Sequence, residues 1–225
     1  IFGKVGISQK EPKDDQIIDA DEWEFQIKGA YPQKISDFEF GISSSFNNAT
    51  AIINIYQIDL KNEVIENIDF ENQGQYIYSQ ADQTIHKGIE FDIRYFLNKK
   101  FTLNWNTALS HNYFNGGAFN NKYLPKQPNQ LSNISIEYCS QCNLSIHSAI
   151  KYVGKQYVDN ANTDTKAVDS YYVVNIGTSY KFGSLSISGK INNLLDDLYI
   201  THGDDSDWGP VYWPGATRSL YMEIK

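Results

Sequence analysis

Four groups of residues in this 225-residue chain combine side-chain type and spacing in ways that could do chemistry. The first is Cys139-Ser140-Gln141-Cys142, a C-x-x-C spacing shared by redox dithiols and by half of a zinc site. No second Cys pair exists, so tetrahedral zinc would need His from elsewhere, and no helix N-terminus lies nearby to lower a thiol pKa. A local Cys139–Cys142 disulfide in an oxidising compartment ranks above a catalytic dithiol, with two unpaired thiols left open. The second group follows Tyr199: His202, Asp204, Asp205, Asp207, Trp208, Tyr212 and Trp213. The acids resemble a hard-metal cluster, but Gly203 precedes them and the D-x-D-G order of a calcium loop is missing. A solvated acidic loop without metal is the expectation. Third, Glu90, Asp92 and Arg94 alternate along one stretch; both signs are mixed and no nucleophile accompanies them, which fits an ion-paired, hydrated wall and no catalytic role. Fourth are aromatic and His side chains on the longer linkers: Trp23, Tyr76, Tyr78, then His111, Tyr113 and Phe114 beside Gly116-Gly117. With His202, Trp208, Tyr212 and Trp213 they form the candidate ligand-binding set, because flat rings bury area at low entropic cost. Packing within a loop, or anchoring at an interface, is the competing role for each.

Something must position these groups, and composition narrows what. Acids outnumber bases 27 to 19, giving a net charge of -8, whereas binding nucleic acid needs a basic patch. No apolar run approaches the roughly 18 residues of a membrane-crossing helix. No cofactor is expected, and no enzymatic activity. The chain opens on Ile1-Phe2-Gly3-Lys4-Val5, inside a strand, as a piece of a longer protein would.

The positioning elements are strands. Phe38, Phe40, Ile42 and Phe46 alternate with polar residues. So do Ile89, Phe91, Ile93 and Tyr95, then Phe101, Leu103 and Trp105, then Ile134, Ile136 and Tyr138, and finally Leu220, Met222 and Ile224. A period of two is the signature of a strand with two unlike faces. With segments near 2–8, 51–59, 144–157, 171–182 and 185–194, about ten strands are expected. Alternation alone does not say which face meets water: a soluble sandwich buries the apolar face, a membrane barrel turns it to lipid.

Three features favour the barrel. Strands recur every ~22 residues, against the ~8–12 typical of soluble sandwiches. Tight connections at 47–48, 98–100, 139–142 and 183–184 alternate with long ones near 10–35, 62–83, 110–129, 158–169 and 200–217, as in outer-membrane barrels. Aromatic residues (Phe46, Phe101, Tyr138, Tyr152, Tyr180, Phe182) end the apolar faces, where an interfacial girdle would sit. Phe38, Phe40, Ile42, Ile89, Phe91, Ile93, Leu220, Met222 and Ile224 are therefore expected to face lipid, and Glu39, Glu90, Asp92, Arg94 and Glu223 the interior. A soluble carbohydrate-binding or adhesin-type β module is the alternative.

Five segments then line up with a known family. Lys190-Ile191-Asn192-Asn193-Leu194-Leu195-Asp196-Asp197-Leu198-Tyr199, followed by Tyr212-Trp213-Pro214-Gly215-Ala216-Thr217-Arg218, resembles the end of TonB-dependent outer-membrane receptors. Lys10-Glu11-Pro12, the run from Tyr31 to Gly41, the run from Ile55 to Val64, and Lys87-Gly88-Ile89-Glu90 are similar to further signatures of that family, in its order. The resemblance implies an antiparallel up-and-down transmembrane β-barrel, here about ten strands forming the C-terminal half (1–225) of a 22-stranded barrel. It implies a plug and first strands supplied from outside this chain. It also implies location in the outer membrane of a Gram-negative bacterium and ligand-gated uptake energised by the inner-membrane TonB complex. A small-molecule metal chelate, foremost an iron–siderophore complex, is the implied cargo. Family members commonly end on an aromatic residue, where this chain ends on Ile224-Lys225. Asn192, Asn193 and Asp196 are expected to bond local backbone where a strand leaves the sheet.

Overall fold

β-Branched and aromatic residues at every second position favour long strands that pair in simple succession. The computed structural model describes residues 1–13, 30–69, 75–140, 143–206 and 208–225, with 67–69 and 75–77 described by backbone alone. Ten strands form one antiparallel sheet: β1 (Phe2–Lys10), β2 (Gln33–Phe46), β3 (Ala49–Asp69), β4 (Gln75–Phe96), β5 (Phe101–Phe114), β6 (Gln130–Cys139), β7 (Leu144–Val153), β8 (Tyr171–Phe182), β9 (Leu185–Asn192) and β12 (Ser219–Ile224). They lie in chain order, β9 pairing with β12, and the sheet is open, with β1 and β12 as its edges. A two-stranded ribbon, β10 (Ile200–Asp204) and β11 (Val211–Pro214), occupies the connection between β9 and β12. Among the described residues no helix is long and apolar enough to cross a membrane.

The register carries the alternation unbroken across the sheet. Val5 lies opposite Phe38, Phe40 opposite Ile55, Ile53 opposite Phe91, and Ile93 opposite Trp105. Trp105 then faces Ile134, Ile134 faces Ile150, and Ile191 lies between Ile176 and Leu220. Directly opposed residues share a face, so one face is continuously apolar and, as expected, holds Phe38, Phe40, Ile42, Ile89, Phe91, Ile93, Leu220, Met222 and Ile224. The other is polar and internally bonded. Lys4 bridges Asp37 at 2.6 Å and Glu39 at 2.7 Å, Asn54 donates to Glu90, and Asn104 donates to Glu137 at 3.2 Å.

Connections alternate as the spacing predicts. Turns at 47–48, 97–100 and 183–184 and the facing ends of β6 and β7 (Cys139 and Leu144) share one end of the sheet, and the ends that border the long connections share the other. Rings mark the apolar face near both ends. Phe101 packs on Tyr138 at 4.8 Å near the turns, and Tyr152 and Tyr172 are opposed near the loops. From Tyr172 to Tyr180 is about 27 Å along the strand at ~3.4 Å per residue, which at the ~35–45° tilt of barrel strands covers roughly 20 Å of an apolar band ~25 Å tall.

Two differences from the sequence expectation stand out. The stretch 62–83 is not a linker: β3 continues to Asp69 and β4 starts at Gln75, their pairing interrupted only between Lys61↔Gln83 and Glu63↔Ala81. Asn62 sits there with φ 58°, a conformation Asn tolerates, and its amide caps the Pro32 carbonyl. The stretch 110–114 is likewise strand, so the linker that follows β5 begins at Asn115.

Glycine has a specific task at Gly88. It lies opposite Tyr56, and a Cβ there would overlap the Leu109 carbonyl oxygen and come 2.8 Å from the Tyr56 hydroxyl. Asn193, which is 2% exposed, ties the last long connection together. Its side-chain amide donates to the carbonyls of Asp197 (2.9 Å) and Ala216 (3.1 Å). Asp196 accepts from the Arg218 backbone N–H at 2.8 Å and from its guanidinium at 3.1 Å. Asn193 and Asp196 thus bond backbone as expected, whereas the Asn192 amide donates to the Ser219 hydroxyl at 3.3 Å, a side chain on the paired strand.

Candidate functional site

The long connections converge on a cavity of about 470 Å³. Its floor is apolar: Phe114, 2% exposed, packs with Leu124 and Ala81, and its ring meets Phe119 at 5.5 Å. The walls are the upper part of β3, the linker 115–129, the linker 154–170 and the ribbon. β-Turn and loop residues with short polar side chains bring these segments together. Asn162, at φ 59°, accepts from the Tyr123 N–H at 2.6 Å and donates to the Tyr123 carbonyl at 2.8 Å. Asn160 donates to the Glu66 carbonyl at 2.9 Å. Gln156 donates to the Thr201 carbonyl at 2.8 Å, and the Tyr212 hydroxyl donates to the Lys166 carbonyl at 3.1 Å. Three loops are thereby cross-linked into one cap.

Charge lines that cap. Lys126 is paired with Asp204 and lies 3.7 Å from Glu66. Lys166 lies 2.7 Å from Asp205 and 3.8 Å from Asp159. Glu63 is hydrogen-bonded by the Thr84 hydroxyl and sits 3.5 Å from His86 Nε2. Glu63 is more than a dozen residues beyond the 47–48 turn, past the ~9–11 residues that a strand needs to cross a bilayer. Burial pushes its carboxyl up, but the bonds from His86 and Thr84 together outweigh that and hold it below the ordinary value of 4.5. Among the described lining residues, five carboxylates stand against two lysines, an excess of three negative charges.

The expected ligand-binding residues divide sharply by place. Phe114 forms the cavity floor. His202 leaves the acidic cluster and stacks on Trp213 at 4.5 Å with planes 5° apart, while Asp204 and Asp205 turn to the two lysines. Tyr212 braces the cap and covers Gly203. Trp208, at the ribbon tip, is 98% exposed. Tyr78 is half-buried opposite Glu66. Tyr76 has only its backbone described, opposite Ile68; Trp23, Asp207 and Cys142 lie outside the described residues. Cys139 ends β6 beside a turn as an exposed, free cysteine.

His111 and Tyr113 are not in the cavity. Both fall on β5 in the register of Phe101, Leu103 and Trp105, hence on the apolar face, and belong to a row of rings. His111 contacts Tyr113 at 4.8 Å and stacks on Tyr123 at 5.0 Å, and Tyr123 meets Tyr157 at 6.0 Å. Parity within β5 was the signal that could have placed them. For Glu63, Lys126, Asp159 and Lys166 the sequence holds no such signal, because residues from three separate segments meet only in the fold.

Comparison with known proteins agrees with this architecture. A family model described as "TonB dependent receptor-like, beta-barrel" matches residues 25–194. The copper transporter OprC superimposes on 99% of this chain with a TM-score of 0.81 at 14% identity, using 36% of its own length. The ferric yersiniabactin uptake receptor FyuA from Yersinia pestis covers 86% of the chain (30% of its own) with a TM-score of 0.73 at 17% identity. The ferric citrate transporter FecA covers 85% (31% of its own) with a TM-score of 0.70 at 20% identity. The chain thus spans about a third of the structures it matches. An up-and-down sheet with one apolar and one polar face, tight turns at one end, long loops at the other, and a family match over most of its length establish that the chain belongs to the TonB-dependent receptor β-barrel family.

Proposed function

We propose that this chain is the C-terminal half of the barrel of an outer-membrane uptake receptor, with a plug and the first barrel strands contributed by the rest of that protein. The observation that carries this is the single apolar face running without a break from β1 to β12, opposite a hydrogen-bonded polar face. Apolar residues outward supply the insertion energy, while a basic residue on the lipid face at mid-depth costs ~2–4 kcal/mol. The polar face then lines the interior, and the capped cavity opens toward the outside medium. Cargo is a small metal chelate, foremost an iron–siderophore complex, taken up with energy from the inner-membrane TonB complex acting on the plug. Support for that cargo class comes from FyuA and FecA, whose names record ferric chelates. The test is uptake of radiolabelled ferric siderophores by a receptor-deleted Gram-negative strain carrying the full receptor gene. Iron accumulation that also requires TonB is expected. Accumulation equal to the empty-vector strain across a siderophore panel, with the barrel correctly inserted, would sink the cargo assignment. Recovery of the protein as a soluble monomer without detergent would return the soluble β-module alternative.

A further inference from the structure

The apolar face is not apolar to its upper margin. Lys34 on β2 and Lys61 on β3 are directly opposed in the register, on the same face as Phe38 and Ile55. Like charges set directly across a pair of strands destabilise it unless an anion lies between them. Lys87 follows on β4, opposite Gln57 on that face, with its ammonium 5.2 Å from the centre of the Tyr113 ring. From Tyr113 the row of rings continues through His111 to Tyr123, which an isolated bridge opposite Tyr113 keeps on the same face. All three lysines are exposed, and among the described residues none has a carboxylate within ion-pair distance. Asp59 shares the face but is hydrogen-bonded to Gln57. The stripe is basic in a protein with eight more acids than bases, and the cavity behind it is acidic.

Height along the strands gives the stripe its partner. Lys87 is eight residues above Tyr95 and Lys61 is twelve above Ala49, so Lys87 stands just inside and Lys61 just past the far edge of a crossing of ~9–11 residues. Long amino-alkyl chains at that level lie along apolar surface and raise their ammonium groups to the headgroups. Rings beside them supply the flat, amphipathic surface found at membrane–water boundaries. We propose that Lys34, Lys61 and Lys87, with the Tyr113–His111–Tyr123 row, bind the phosphate headgroup of a lipid in the outer leaflet. This rests on the receptor reading above, because only a barrel inserted with its long loops outward brings the stripe to that leaflet.

The test uses the full receptor in neutral detergent micelles doped with phosphatidic acid or with phosphatidylcholine, with retained lipid measured by native mass spectrometry. Phosphatidic acid should be retained at least about tenfold more strongly than phosphatidylcholine, since each lysine near an anionic surface contributes appreciably. Lys34→Gln/Lys61→Gln/Lys87→Gln should abolish that preference, whereas Lys151→Gln/Lys190→Gln, on the polar face, should keep it. Should the triple variant fail to fold, raising the salt on the native receptor to about 0.5 M should cut the preference severalfold by screening. Equal retention of the two lipids, an unaffected triple variant, or salt independence overturns the proposal. Displacement by inorganic phosphate at the lipid's own concentration also overturns it, leaving a free-anion site. A native receptor without heat-modifiable mobility, the mark of a folded barrel, fails the receptor reading first and the stripe with it.

Discussion

Replacing Asn193 tests whether the last long connection is held by one buried amide. Its side chain donates twice, to Asp197 and Ala216, and its backbone adopts φ 49°. Losing two hydrogen bonds costs about 2 kcal/mol at ~1 kcal/mol each. Alanine in a left-handed conformation adds about 1 kcal/mol that glycine does not. Asn193→Ala should therefore cost about 3 kcal/mol of local stability and Asn193→Gly about 2, or a roughly 150-fold and 30-fold larger open population at 1.36 kcal/mol per tenfold. The reporters are two amides held by the same clasp: the Gly215 N–H, bonded to the Tyr199 carbonyl at 2.8 Å, and the Arg218 N–H, bonded to Asp196. Hydrogen exchange of these amides in the folded receptor measures the opening directly. Glycine proving worse than alanine would refute the backbone argument. Unchanged exchange in both variants would show that Arg218 and Asp196 hold the connection alone.

Other outcomes follow from the same contacts. Glu63 has a folded pKa below its ordinary value, so its stabilisation of the upper β3–β4 hairpin is complete above 4.5 and is lost as pH falls through the folded value; proteolysis of that hairpin should rise at acid pH in the native protein and lose that dependence in Glu63→Gln. Gly88→Val would drive side-chain atoms into the Leu109 carbonyl and the Tyr56 ring, and should cost about 1–3 kcal/mol, visible as a lower temperature for loss of heat-modifiable mobility. Trp208→Ala/Trp213→Ala should weaken cargo binding by more than about tenfold; the Trp213 change alone forfeits the His202 stack, worth roughly 0.5–1.5 kcal/mol, while Trp208→Ala should leave the melting temperature unmoved, and unchanged affinity in the double variant would reduce the ribbon to scaffolding.

What sequence could say depended on whether a property is local. Phe38 through Phe46 and Ile89 through Tyr95 announce both strand and face, since a period of two is written in consecutive residues. The alternation of short and long connections was equally legible. The extent of β3 and β4 was not, because beyond Asn62 the alternation weakens while strand-to-strand pairing continues. The ribbon was missed for a related reason: Gly203, Gly209 and Pro210 read as loop, yet Ile200 and Pro214 still pair across it. Placing His111 and Tyr113 among the ligand residues treated them as loop, although their parity with Phe101 and Trp105 already set them on the apolar face. The cavity is the least legible feature. Lys126, Lys166 and Glu63 acquire their carboxylate and hydroxyl partners only through tertiary contacts.

The clasp around Asn193 and Asp196 also bears on how the chain reaches this arrangement. Most pairs in the sheet join strands that are neighbours in sequence, and several need close only a short turn. Strand β12 must instead find β9 across the connection 193–218, and chain entropy makes closing a loop of that length roughly 2 kcal/mol costlier than a two-residue turn. Once Asp196 holds Arg218 and Asn193 holds the Ala216 carbonyl, Ser219 is delivered beside Asn192 and the long search becomes a local one. A substitution that spares the folded sheet yet loosens the clasp should then slow the docking of β12 more than it speeds its release, so the lesion would surface during biogenesis of the barrel, while receptors that complete it would work at the ordinary rate.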